Sequence, residues 1–321
     1  MGIFLEGFIL LLGFVFLIQG ASFLVEGATA LAHRYKVPEI AIGLTVVALG
    51  TSLPEIVVNT ISSARGESEV VFANIIGSNI FNIYMVIGVM GILRPIYVKR
   101  MTAIREIPFS ILATVLVFVV INDQIFFNRF DNTLSIWEGL ILLGLFMVFM
   151  FFAFYEGKET PELVQTEQKK LGTKKMIFYI LLGLVGVSIG GHFAVEKAIF
   201  FAEYFGVSRK MVALLILAPA SALPELTTAL VSAFKNKIDL AVGNIIGACM
   251  FNLLLVLSLS SFLGNLNYNH ALNFDLYFFF FGIFLFFITL FTGQRLKITR
   301  IESLIFFFFF LAYIYFLFIR K

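Results

Sequence analysis

Two glutamates stand where an apolar chain would not ordinarily place them. Glu55 and Glu225 each follow a proline inside a long apolar run, in the tripeptides Leu53-Pro54-Glu55 and Leu223-Pro224-Glu225. An ionised carboxylate at mid-membrane costs at least ~2.5–3.5 kcal/mol, so it faces protein, water or an ion rather than lipid. Proline has no N–H and frees the carbonyl it would have closed on. Freed carbonyls at that depth persist only where something satisfies them. Gly50 and Thr51, just before Pro54, further favour an unwound stretch. Each segment therefore offers a carboxylate beside loose carbonyls. Oxygen-only donors suit Ca²⁺ or Na⁺ rather than soft metals.

Neighbouring polar residues fall on helical stripes. Ser52, Glu55, Asn59 and Ser62 are spaced 3, 4 and 3 apart; Ser221, Glu225, Thr228 and Ser232 are spaced 4, 3 and 4 apart. Asn74, Ser78 and Asn82 repeat every four residues, as do Asn244, Ala248 and Asn252. Each set lies on one face of a helix. Four such faces can line one central site, with interhelical hydrogen bonding as the plainer role of Asn59, Ser62, Thr228 and Ser232. Glu26 and Glu196 are either ion-pathway groups near an aqueous mouth or structural hydrogen-bonding groups. His192 reads as a packed, satisfied residue. The single cysteine, Cys249, excludes an internal disulfide or a Cys-based cluster and reads as packing.

The elements that position these groups follow from composition. Of 321 residues, 60% are hydrophobic and 13% charged, and mean hydropathy is +1.00. Soluble domains run at about 45–50% apolar and about 25% charged, which excludes a soluble globular enzyme, a nucleic-acid binder and a disordered chain. Ten apolar runs are legible, near 7–31, 39–63, 69–93, 104–122, 133–155, 176–201, 210–234, 240–263, 271–293 and 301–319. The first lacks a basic segment before it and reads as a span rather than a signal peptide. Phe306 to Phe310 read as lipid-facing, and Trp137 as an interfacial anchor. Sixteen of the 23 Lys and Arg fall in one set of alternate loops, six in the other, and Lys197 within a span. The richer side is expected to be cytoplasmic, which puts both termini outside. Residues 156–175 form a cytoplasmic linker.

The chain repeats itself. Residues 44–90 align without gaps on 214–260, at a constant offset of 170, with 13 identities in 47 positions. They concentrate on Leu-Pro-Glu, Asn-Ile-Ile-Gly and Phe-Asn. The same register pairs Gly20 with Gly190 and Glu26 with Glu196. Each unit holds five spans, an odd number, so the second enters the membrane from the opposite side. The expected fold is all-α and integral to the membrane: ten transmembrane helices in two inverted-topology five-helix repeats, over 1–155 and 176–321. Such folds bind ions near the midplane where the repeats meet.

Gly43-Leu-Thr-Val-Val-Ala-Leu-Gly-Thr-Ser-Leu-Pro-Glu55 and Gly77-Ser-Asn-Ile-Phe-Asn82, with altered second copies ending at Glu225 and Asn252, resemble the cation/calcium exchanger superfamily. The likeness is to its short microbial sodium/calcium exchangers. The resemblance implies antiport of Ca²⁺ against Na⁺. It implies Ca²⁺ held by Glu55, Glu225 and the carbonyls of Thr51 and Ser221. It places Na⁺ sites at Ser52, Ser78 and the carbonyls of Ala48 and Ala218, with Asn82 and Asn252 beside the centre. The second copy departs from the pattern. Ala222 and Ala248 replace serines, Asn252 replaces an acid found in several members, and Pro219 stands opposite Leu49.

The resulting expectation is a secondary antiporter in the cell membrane. It moves Ca²⁺ or a similar cation in exchange for Na⁺ by alternating access, with the cation between Glu55 and Glu225. The alternatives are proton-coupled exchange and a homologue that binds cations without moving them. No organic cofactor, enzymatic activity or nucleic-acid partner is expected. Inorganic cations and lipid are the partners, and an oligomer is not required.

Overall fold

The structure is a computed structural model that describes residues 2–126, 131–155, 171–206 and 220–320. Helix α1 (Gly2–Tyr35) leads into α2 (Glu39–Thr51) and α3 (Leu53–Ala64), two segments bent by 49° at Ser52. Then come α4 (Ser68–Leu93), α5 (Thr102–Ile121) and α6 (Ile136–Tyr155). The second half holds α7 (Thr173–Tyr204), α8 (Leu223–Phe234), α9 (Ile238–Ser261), α10 (His270–Thr289) and α11 (Arg300–Ile319). Among the described residues, eight helices are long and apolar enough to cross a membrane, and the bent pair α2–α3 adds a ninth. Of the run expected over 210–234, residues 220–234 are described, and α8 takes up twelve of them. Ala218, Pro219 and most of the 156–175 linker lie outside the described residues.

Helices α1 and α7 are longer than their apolar runs, at 34 and 32 residues. Their polar ends stay helical because they find partners: Lys197 Nζ lies 2.9 Å from Glu6 Oε2. At about 1.5 Å per residue, each is roughly 50 Å long against a hydrocarbon core of about 30 Å, so each tilts or protrudes.

These two helices pack backbone to backbone. A methyl group on Gly13 would meet Ala194 N at 2.8 Å, one on Gly20 would meet Val187 N at 2.5 Å, and one on Gly27 would meet Ile180 N at 2.9 Å. As one number rises the other falls, so the pair is antiparallel. Small residues permit this approach, because lipid supplies no hydrophobic drive for helix association.

The two halves are also stitched outside the helices. Strand β1 (Ile96–Tyr97) pairs antiparallel with β4 (Lys297–Ile298), and β2 (Thr133–Leu134) with β3 (Leu266–Asn267). Residues 96–97 and 266–267 are 170 apart, so the first strand of each half pairs with the second strand of the other.

Two expectations about side chains are corrected. The Phe306–Phe310 run is not wholly lipid-facing. Phe306 and Phe310 are buried, beside Tyr84 (ring centroids 6.0 Å apart) and Phe81 (5.6 Å), while Phe308 is exposed. The four-residue period selects the buried members. His192 is not packed: its side chain is 74% exposed and lies 3.6 Å from Glu196. Trp137 is exposed at the start of α6, and Cys249 is fully buried.

Candidate cation site

The break in the second span is local chemistry. Ser52 leaves the helical region (φ −84°, ψ 5°), and Pro54 sits in the first turn of α3, where its missing N–H leaves no gap in the helical ladder. Ala222 has nearly the same conformation (φ −93°, ψ 8°) ahead of α8, with Pro224 in its first turn. Glu55 and Glu225 therefore occupy equivalent places in the opening turns of α3 and α8. There the positive end of the helix dipole favours a carboxylate.

The expected stripes face inward. Ser52, Glu55, Asn59, Ser62, Ser78, Asn82, Thr228, Ser232, Asn244 and Asn252 are all buried, as are Glu225 and Thr51; Asn74 and Ser221 are half-buried. Cross-repeat hydrogen bonds join them. Ser52 Oγ donates to Glu225 Oε1 at 3.2 Å. Thr51 Oγ1 donates to Asn244 Oδ1 at 3.1 Å, and its counterpart Ser221 Oγ donates to Asn74 Oδ1 at 3.2 Å. Ser78 Oγ and Ser221 Oγ are 3.0 Å apart. Ala48 O accepts from Ser52 N at 3.0 Å and from Thr51 Oγ1 at 3.3 Å. Asn59 bonds back to Glu55 O on its own helix at 2.7 Å. The interhelical role weighed for Asn59, Thr228 and Ser232 does not materialise: Asn59 Oδ1, Thr228 Oγ1 and Ser232 Oγ have no hydrogen-bond partner.

Symmetry fails at the two alanines. Ser52 serves Glu225, but Ala222, its counterpart, has no hydroxyl for Glu55. Ser78 meets Ser221, but Ala248 cannot meet Thr51. Both carboxylate oxygens of Glu55 are buried without a partner, as are Glu225 Oε2, Asn82 Oδ1 and Asn252 Oδ1. Buried oxygens in natural proteins are nearly always satisfied. A cluster of orphaned acceptors, two of its residues carboxylates, is the donor set a hard cation takes up. Among the described residues, no group of three or more His, Cys, Asp or Glu is placed to hold a metal, and the orphaned acceptors of this set are all oxygens.

Comparison with known proteins identifies the family. Residues 6–155 and 175–319 match the family described as sodium/calcium exchanger protein. The chain belongs to that family. A putative antiporter, CaxA of Alkalimonas amylolytica, is 36% identical over 258 residues, covering 78% of each chain. The sodium/calcium exchanger MaX1 of Methanosarcina acetivorans is 29% identical over 290 residues, covering 78% of this chain and 81% of its own. A structure of the sodium-calcium exchanger NCX_Mj soaked with Na⁺ and Sr²⁺ superposes with a TM-score of 0.82 at 25% identity, over 97% of this chain and 98% of that one. This exchanger-family chain is thus a mostly helical, multi-pass integral membrane protein.

Three asparagines take roles that the sequence alone does not reveal. Asn74 and Asn244 were visible as stripe members and repeat identities, but their bonds to Ser221 and Thr51 depend on how the repeats dock. Asn79 was hidden because its counterpart is Cys249. It is fully buried, accepts from Asn252 Nδ2 at 3.1 Å and donates to Cys249 O at 3.5 Å. Asn252 is pinned by its amide, leaving its Oδ1 free.

Proposed function

We propose that the protein is a secondary antiporter that carries Ca²⁺, or a similar cation, in exchange for Na⁺ by alternating access. The cation is held between Glu55 and Glu225, with the carbonyls of Thr51 and Ser221 completing its shell. Ser52, Ser78 and the carbonyls of Ala48 and Ala218 serve Na⁺, and Asn82 and Asn252 flank the centre. The observation that carries this reading is the buried set of orphaned oxygens on Glu55 and Glu225, at equivalent breaks in two repeats. Leaving both carboxylates charged and bare is costly at this depth. The protein therefore changes sides only when a cation or counter-ion neutralises them.

The architecture belongs to the same proposal: ten spans, as two inverted five-helix repeats over 1–155 and 176–321, joined by a cytoplasmic linker at 156–175. The antiparallel packing of α1 on α7 and the reciprocal strand exchange support inversion. The charge bias of the loops supports both termini outside and residence in the cell membrane.

A second reading rests on Ala222 and Ala248. With no hydroxyl at either position, H⁺ replaces Na⁺ as the counter-ion. Ca²⁺ uptake into proteoliposomes, driven in parallel by outward Na⁺ and outward H⁺ gradients, separates the two. Uptake with Na⁺ alone upholds the first reading, and uptake with H⁺ alone the second. Uptake with neither overturns both for Ca²⁺ and points to another cation or to a site that binds without transporting.

Restoring the hydroxyls is a sharper probe. Ala222→Ser with Ala248→Ser is expected to raise Na⁺-driven uptake about five-fold at subsaturating Na⁺, the equivalent of about 1 kcal/mol for one added polar contact. An unchanged Na⁺ dependence would show that these positions are not missing ligands.

A further inference from the structure

Away from the cation site, a lysine in the turn after α8 ties α1 to the other repeat. Lys235 Nζ, in the turn after α8, lies 2.6 Å from Glu26 Oε1 and 2.7 Å from Ser22 Oγ, and donates to Ser22 O at 3.1 Å. The 170-residue register maps Glu26 onto Glu196 and Lys235 onto Arg65. The equivalent bond is not made. Glu196 turns along its own helix to Lys197 (2.7 Å) and His192 (3.6 Å), and Arg65 is exposed with no ion pair among the described residues. Packing follows the same division. Helix α1 lies along α8, whereas α7 makes no comparable contact with α3.

A second pair repeats the logic. Lys237 Nζ lies 2.7 Å from Glu39 Oε1, both side chains largely buried. The register positions are Glu67 and Arg209, of which Arg209 lies outside the described residues. The residue types have changed and the signs are exchanged, yet opposite charge is kept. Apolar composition does not explain complementary charge at two pairs of turn positions.

We propose that Glu26–Lys235 and Glu196–Arg65 are alternate positioning pairs for exchange. Each closes one of the long helices, α1 or α7, onto the opposite repeat at one face, and each breaks when the other forms. In the present state the pair at the α8–α9 turn is closed and the pair at the α3–α4 turn is open. The inference rests on the inverted-repeat antiporter reading above and adds the groups that hold each face shut.

The sign follows from population shift. Lys235→Ala weakens closure at the α8–α9 face, raises the fraction open there, and lowers the apparent KM for Ca²⁺ on that face. Arg65→Ala does the reverse. For exposed ion pairs, opposite shifts of about two- to five-fold in the ratio of the two sided KM values are expected. A merely structural role would move both faces together. The charge-exchanged double variant Arg65→Glu with Glu196→Arg should recover the wild-type ratio that Arg65→Glu alone disturbs. In the full-length protein, whose only native cysteine is buried, Arg65→Cys with Glu196→Cys and Glu26→Cys with Lys235→Cys should each form an oxidative cross-link. Each cross-link should stop exchange until it is reduced. Shifts in the same direction, failure of the exchanged pair, or no cross-link between positions 65 and 196 would overturn the proposal. The cross-linking arm does not depend on transport. Failure of wild-type Ca²⁺ exchange with both cross-links forming would therefore reject the antiporter reading and leave the alternate pairs standing.

Discussion

Glu55→Gln lowers Ca²⁺ exchange at least about 100-fold, and Glu225→Gln does nearly the same, while both variants still insert. Removing one charged partner from a buried charged set costs roughly 3–5 kcal/mol, which is about two to three and a half decades in affinity. The two substitutions are not equivalent. Glu225 keeps one oxygen on Ser52 Oγ at 3.2 Å, so the Glu225→Gln side chain retains a hydrogen-bonded anchor in the free protein. Glu55 has both oxygens unpartnered, so Glu55→Gln loses only what the cation supplies. The folded state of Glu55→Gln should be as stable as wild type or more so, because a bare buried charge has gone. Isotope flux in proteoliposomes, beside a thermal unfolding curve in detergent, reads both effects. Wild-type flux in either variant would remove the paired glutamates from the site.

A leucine at position 20 should abolish the folded exchanger. The first side-chain atom would stand 2.5 Å from Val187 N and 2.7 Å from Gly186 C. These are backbone atoms of a helix and cannot rotate away. Overpacking a soluble core costs typically about 1–3 kcal/mol. Here a whole side chain is driven between two backbones, and the long pair α1 and α7 separates along its length. The matched control is Gly144→Leu in α6, where nothing lies within 4 Å of the added carbon. Size-exclusion profile and melting temperature should be normal for Gly144→Leu and lost for Gly20→Leu. Equal behaviour of the two would mean that close packing of α1 on α7 is not required.

Much of this molecule is legible in its sequence because lipid is a strict solvent. Apolar run length locates the spans, and proline beside glutamate marks the breaks. The offset of 170 survives in Asn-Ile-Ile-Gly and Phe-Asn, where Asn74 and Asn244 each bond to the opposite repeat. What stayed hidden depends on docking. Asn79 sits on the helical face next to the predicted stripe and matches nothing in the second copy. Phe306 and Phe310 look like any lipid-facing phenylalanine until α4 is laid against them. His192 was expected to be packed because a histidine within a span normally is; its exposure follows from α7 lying away from α3. The turns in which Lys235 and Arg65 lie carry ordinary solvated charge, and only a folded α1 shows what one of them holds.

The reciprocal strand pairs bear on how the protein is made. Residues 96–97 are synthesised about 200 residues before their partners at 297–298, and 133–134 about 130 residues before 266–267. At roughly 5–20 residues per second, the first half waits some 10–40 s in the bilayer with its short strand edges open. Neither half can complete its own strands, so both pairs stay open until the second half emerges. A ribosome that stalls before β4 has emerged leaves a half-clasped chain for quality control to find.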